Sequence, residues 1–415
     1  MMERKTKTLS KALAVILGTA VILTLSGCGG DSSGSNPSTG GGTVVTPPKP
    51  NSPSLFSKSA TWTITNLAKG ATTCFDFDAQ KESSCAENTW DVKFENQERG
   101  VKLWSNSGAS GTGKGGVFGL MDWSELQQYK NATRDPKTNS DLSFLYNEDK
   151  NGGIFNQSPW YAYSLNDDHR LYPNNRVYLI TTDNTNAATA SSVQLPVYAV
   201  QITNYYKGTT SGFPTLRWID TAVPNAVKTQ QIDASSQTTW TYFNLQSGKV
   251  VDKSSVWHIA FKRDSIILNG GNSGNGKVGA YLANDSKAYY DAKGEPIKAK
   301  FMADNQAESL KALQEVNTYQ KPASEKGWVT DKKGSSLNPQ PSGNYPKLDY
   351  GLFTYDGANN HRMFANPNKG ALIRSAEGNS FARMRLTEIN YPDATSPAAT
   401  SWVFEFDIQP ATAAK

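Results

Sequence analysis

Three histidines, three cysteines and two glycine-rich strings are the places where this sequence could do chemistry. His169 follows Asn166-Asp167-Asp168 and His361 follows Asn359-Asn360, and each is followed by an arginine and an apolar residue. A neutral imidazole on an exposed loop is a competent iron ligand, and Met363 beside His361 could add a soft thioether. The same strings also read as turns whose ring is bonded to backbone before the next strand. His258, inside Trp257-His-Ile-Ala-Phe261, is expected on the solvent face of a strand. Cys28 follows Ser26-Gly27, whereas Cys74 and Cys85 flank a turn-like AQKESS, where a disulfide is expected. No CxxC motif or four-ligand Cys/His cluster is present, so no structural zinc site is expected.

The string Gly108-Ala-Ser-Gly-Thr-Gly113-Lys114 has the spacing of a phosphate-binding loop up to its lysine, and Gly271 to Lys277 repeats it. The Ser or Thr that would hold Mg²⁺ is replaced by Gly115 and Val278, so nucleotide binding is not expected. The glycines read as a loop in which two backbones come close. Neither HExxH nor a nucleophile elbow occurs, and Asp76, Asp78, Asp167 and Asp168 read as turn and edge residues. The expectation is a protein that is not an enzyme.

Around these residues the chain has a clear order. Arg4, Lys5, Lys7 and Lys11 precede an apolar run from Ala12 to Leu25 and then Cys28. That is a lipoprotein signal peptide over residues 1–27, with Cys28 as the acylated residue that anchors the protein to a membrane. A Gly/Ser/Pro-rich tether follows to residue 55. Gly29 rather than Asp after the lipidated cysteine points to the outer membrane. The formal charge is +5, and four basic residues and one acid precede Cys28, leaving about +2. No nucleic-acid partner is implied.

Five blocks then recur in one order. NTWDVKF with NSGASGTGKGGV matches SVWHIAF with NGGNSGNGKVGA, CFDFDAQK matches YFNLQSGK, YSLNDDHRLYPN matches YDGANNHRMFAN, and VQITNYY matches MRLTEINY. A self-similar order of this kind marks a duplicated unit. The reading is two tandem modules, residues 56–220 and 221–415, the second carrying an insertion over about 285–345 with a helix near Ala303–Val316. The blocks alternate apolar and polar residues, which predicts an all-β, sandwich-like fold.

The Trp-Asp strand, the Asn-x-Gly-x-Ser-Gly-x-Gly-Lys string and the strand pair ending in Tyr resemble the HmuY family of haem-binding lipoproteins, in both modules. That resemblance implies an all-β fold, an outer-membrane or surface position, and capture of haem for iron acquisition. It also implies partners: haem or a haem-carrying protein, and a TonB-dependent outer-membrane receptor. The family's iron-binding histidine follows a Trp-x-x-aromatic strand. Trp160-Tyr-Ala-Tyr163 matches that strand, but Leu165 and Gly357 stand at the ligand position. The haem ligands expected here are therefore His169, His361 and Met363. The alternative is a module of the same fold that has lost the haem site and binds a glycan or a protein.

Overall fold

The strand Ser401–Gln409 shows how the sequence makes this fold. Trp402, Phe404, Phe406 and Ile408 are buried, while Val403, Glu405 and Asp407 between them are half-exposed. A period of two puts one face against a core and the other towards water. Lys58–Ile64 does the same with Ala60, Trp62 and Ile64, and the two strands pair antiparallel with Trp62 opposite Phe404. The computed structural model describes residues 53–97, 100–185, 196–315, 322 and 327–412, all within the unit Gly42–Lys415. The expected signal peptide, Cys28 and the expected tether as far as residue 52 lie outside the described residues.

Two five-stranded antiparallel sheets carry the architecture. The first runs, in spatial order, Lys58–Ile64, Ser401–Gln409, Phe381–Asn390, Lys369–Arg374, Gly116–Asp122. The second runs Lys228–Gln231, Thr210–Asp220, Val197–Lys207, Val177–Thr181, Gly279–Asn284. Each faces a four-stranded sheet, Thr72–Asp76, Lys81–Ser83, Val92–Gln97 and Gly100–Ser105 in one case, Thr241–Asn244, Lys249–Val251, Ile259–Lys262 and Ser265–Leu268 in the other. Aromatic side chains fill the first gap: Trp62 stacks on Phe75 at 5.2 Å, Phe75 on Phe406 at 5.0 Å, and Phe94 meets Trp402 edge-on at 5.5 Å. In the second, Trp218 meets Phe243 edge-on at 5.3 Å. The fold is all-β, as its alternation predicts.

The boundary expected near residue 220 does not separate the two cores. The first core joins Trp62 to Val117 with Leu337 to Ile408, and the second joins Ile154 to Trp218 with Ile232 to Ala280. The first half of each repeated stretch is thus completed by the second half of the other. The chain crosses between cores twice, at Lys150–Gly152 and Lys332–Gly334, and these two segments pair antiparallel with each other. The likeness between sequence blocks does not say which of two similar strands supplies a given pairing partner.

Cys74 and Cys85 are bonded, with Cα atoms 5.3 Å apart. The expected helix is present as Gln306–Gln314, and its Leu313 is buried with Val177, Leu179 and Ile219 on the outer face of the second five-stranded sheet. Among the described residues no helix is long and apolar enough to cross a membrane.

Candidate functional site

Both glycine strings are structural clamps. Asn106 donates from Nδ2 to the Trp90 carbonyl at 2.8 Å and accepts from the Gly113 N–H at 3.0 Å, and Asn269 does the same with Trp257 (2.9 Å) and Gly276 (3.0 Å). Gly108 (φ +47) and Gly271 (φ +63) sit where a Cβ would come within 2.2 Å of the Asp149 carbonyl oxygen and 2.1 Å of the Asp331 carbonyl oxygen. So close an approach leaves no room for a Cβ, and glycine meets the left-handed dihedral at no steric cost. The carboxylate of Asp149 accepts from Ser105 N–H at 2.9 Å, and that of Asp331 from Leu268 N–H at 2.8 Å. Burial pushes both carboxyls up to about 6. Each aspartate immediately precedes a crossover strand, so the glycine loops anchor the points where the chain leaves one core for the other.

His258 is a correction to the sequence reading. It is buried, not solvated: it sits in the bend just before the strand Ile259–Lys262, with its ring centre 6.0 Å from that of Tyr198 in the inner core. Its Nδ1 accepts the Leu245 N–H at 3.0 Å, and burial lowers its pKa to about 4. Asp91 holds the matching place in the first core, accepting from Phe77 N–H at 2.9 Å and Ala376 N–H at 2.7 Å. Burial pushes Asp91 up to about 8. Its ligand atom lies within 4.8 Å of those of Asp76 and Asp78, a grouping of oxygens that suits a hard cation. Both Asp91 oxygens are already engaged by backbone, however, and Asp78 accepts from Ser380 and Asp76 from Ala79 N–H.

The remaining two histidines share one geometry. The hairpin of Tyr161–Tyr163 with Leu171–Pro173 ends in a turn where Ser164, Asp167 and His169 have φ of 53°, 55° and 56°. The hairpin of Phe353–Asp356 with Arg362–Ala365 ends with Asn360 and His361 at 50° and 57°. Left-handed backbone is uncommon for a side chain of this size, although histidine tolerates it better than most. Here it accompanies a ring turned back onto the strand that precedes it. The Tyr163 hydroxyl lies 2.8 Å from Nδ1 of His169, and the Tyr355 hydroxyl 2.6 Å from Nδ1 of His361.

The surroundings repeat as well. The Leu171 N–H donates to the Tyr206 hydroxyl at 2.8 Å and the Met363 N–H to the Tyr391 hydroxyl at 2.9 Å. Arg170 lies 4.3 Å from the Tyr206 ring centre and Arg362 lies 3.9 Å from that of Tyr391. The turn reading of both histidine strings is therefore what the backbone adopts, but the ring bonds to a tyrosine rather than to backbone.

Met363 stands opposite Tyr355 in the ladder and packs against the first core. Trp104, Trp160 and Phe353, which could have lined an aromatic cleft, are buried core residues. Two polar depressions of about 500 Å³ are lined by other residues, one beside the disulfide, the other by Lys253, Trp257 and the second glycine loop. What the sequence reading missed is the tyrosine. Its signal was available, because a Tyr six residues before the His occurs in both aligned blocks.

A family model described as HmuY protein matches residues 236–404. That stretch runs through both cores, from the four-stranded sheet of the second to the five-stranded sheet of the first. The chain is also similar to a solved structure described as the apo HmuY analog of Tannerella forsythia, at 16% identity, over 46% of this chain and 96% of that one, with a TM-score of 0.12. No curated protein matches.

A phenol oxygen and an imidazole, exposed and held in a fixed relation, are competent ligands or ligand supports for ferric iron. Leu165 and Gly357, at the positions where the resemblance leads one to expect a ligand, offer no donor side chain.

Proposed function

We propose that this protein is a non-enzymatic haem-binding lipoprotein. It is held at the outer membrane through Cys28, collects haem at the hairpin tips carrying His169 and His361, and passes it to a TonB-dependent receptor. One observation carries the reading: the same tyrosine–histidine pair, with hydroxyl-to-Nδ1 distances of 2.8 and 2.6 Å, recurs on equivalent hairpins of the two cores. The match of residues 236–404 to the HmuY model supports it.

Titration of the mature protein with hemin tests this. A shifted Soret band that saturates is the expected result, and an unshifted band refutes haem binding. A module of this fold that takes a glycan or a protein is the second reading, favoured by Leu165 and Gly357 at the family's ligand positions. An unshifted Soret band together with binding to a glycan array would select it.

A further inference from the structure

We propose that the depression beside the second glycine loop is a saccharide-binding site, open in the second core and tied shut in the first. It shares no residue with the hairpin tips and does not depend on haem. Its volume is about 500 Å³, within the span of small-ligand pockets. Lys253, Ser254, Ser255, Trp257, Asn272 and Asn275 line it together with glycines of the loop. Among the described residues, nothing in the protein bonds the side chains of Ser254, Ser255, Asn272 and Asn275, and no carboxylate pairs with Lys253.

The first core shows what is missing here. The repeated blocks align without a gap, so Thr112 corresponds to Asn275 and Asn88 to Ser255. The Thr112 hydroxyl donates to Oδ1 of Asn88 at 2.8 Å, and Asn106 Nδ2 reaches the Asn88 carbonyl at 3.2 Å. Those two bonds latch the glycine loop to the segment before Trp90. In the second core Asn269 keeps its bonds to Trp257 and Gly276, but Asn275 and Ser255 do not bridge. The scaffold accommodates a latch, and the second copy leaves its polar side chains standing apart around a hollow.

The lining selects the ligand. An amide presents a carbonyl acceptor and an N–H donor side by side, and a serine hydroxyl is both at once. Adjacent ring hydroxyls of a sugar also donate and accept, so they satisfy Asn272, Asn275 and the serines together. A bare carboxylate or phosphate only accepts, and would leave the amide carbonyls unpaired. No aliphatic side chain lines the hollow and Trp257 is only 4% exposed, so a porphyrin or an apolar side chain finds little to pack on. The Lys253 ammonium supplies a further donor for a ring hydroxyl or an acidic substituent. Because Asn269 already fixes the loop, little ordering remains to be done on binding.

The test applies the full mature chain in detergent to immobilised saccharides ending in galactose, mannose, glucuronate and sialate, and titrates the retained saccharide by calorimetry. Binding at one site per chain is expected. Ser255→Asn with Asn275→Thr writes the first core's latch into the second and should weaken binding about tenfold or more, the worth of two hydrogen bonds. Lys253→Gln, at an exposed side chain, should weaken it by up to about fivefold. Retention on none of the four saccharides overturns the proposal, and so does unchanged affinity in the latch variant. Two equal sites per chain overturn it too, because the latched first core would then bind as well. If circular dichroism shows the latch variant misfolded, Asn272→Ala removes one exposed amide from the same hollow, and unchanged affinity there overturns the proposal. Hemin titration reads the haem proposal separately, and its failure leaves these outcomes untouched.

Discussion

If the halves of the chain are exchanged between cores, cutting the loop at residues 222–227 should not release two modules. This loop is exposed and joins the strands Thr210–Asp220 and Lys228–Gln231. A protease site inserted after Asn225 would leave one fragment ending near residue 225 and one beginning there. In the two inner cores, twenty of the buried apolar side chains belong to the first fragment: nine from Trp62 to Val117 and eleven from Ile154 to Trp218. At about 1.5–3 kcal/mol each, their burial amounts to roughly 30–60 kcal/mol. Counting about half of that as lying across the cut leaves roughly 15–30 kcal/mol, at or above the ~4–15 kcal/mol cost of association. Among the described residues five strand ladders also cross the cut, including Lys58–Ile64 with Ser401–Gln409 and Val177–Thr181 with Gly279–Asn284. The fragments should co-elute at the intact size in buffer at micromolar concentration and separate only in denaturant. Two folded fragments eluting apart in buffer would refute the exchanged arrangement and restore a boundary near residue 220.

Three further outcomes follow from local features. Replacing Cys74 and Cys85 by Ser removes a link closing a separation of 11 residues, and urea unfolding should show a loss of about 3 kcal/mol at all pH values. His258 is held neutral, with a native pKa of about 4 against about 6.5 unfolded, so its contribution is complete above pH 6.5 and is lost as pH falls towards 4, by roughly 3 kcal/mol. His258→Gln should flatten that part of the stability–pH curve, and an unchanged slope would refute the assignment. Asp331 acts in the opposite sense: its native pKa of about 6 lies above the ordinary value of 3.8, so stability is highest in acid and falls as pH rises through 6. Asp331→Asn keeps an acceptor for Leu268 N–H and should be the more stable protein at pH 7.5 but not at pH 4, as read by denaturant midpoints.

Much of the fold was legible because it rests on local pattern. Alternation in Trp402 to Ile408 specifies a half-buried strand, and the turn between Cys74 and Cys85 brings the thiols together. The glycine strings were correctly read as close backbone contacts, since a missing Ser or Thr can be seen without coordinates. Two things were hidden. Burial of His258 involves Tyr198 and Leu245, inner-core residues from other segments of the chain, which alternation along one stretch cannot reveal. The pairing of Lys58–Ile64 with a strand more than 300 residues away depends on which of two equivalent partners the chain reaches. At the site, the histidines were visible as residue types, but the tyrosines six positions earlier became partners only through the left-handed backbone of His169 and His361.

The pairing of the first strand with the last also sets a timetable. Lys58–Ile64 emerges early in synthesis, and its partner Ser401–Gln409 comes roughly 340 residues later. At about 5–20 residues per second, that strand waits roughly 20 to 70 seconds with Trp62 and Ile64 uncovered. The second core can close once Gly279–Asn284 has appeared, well before the first. A nascent chain of this protein therefore carries a finished domain in its middle and an unfinished one at its beginning, and anything that shields apolar strands from aggregation must attend the beginning.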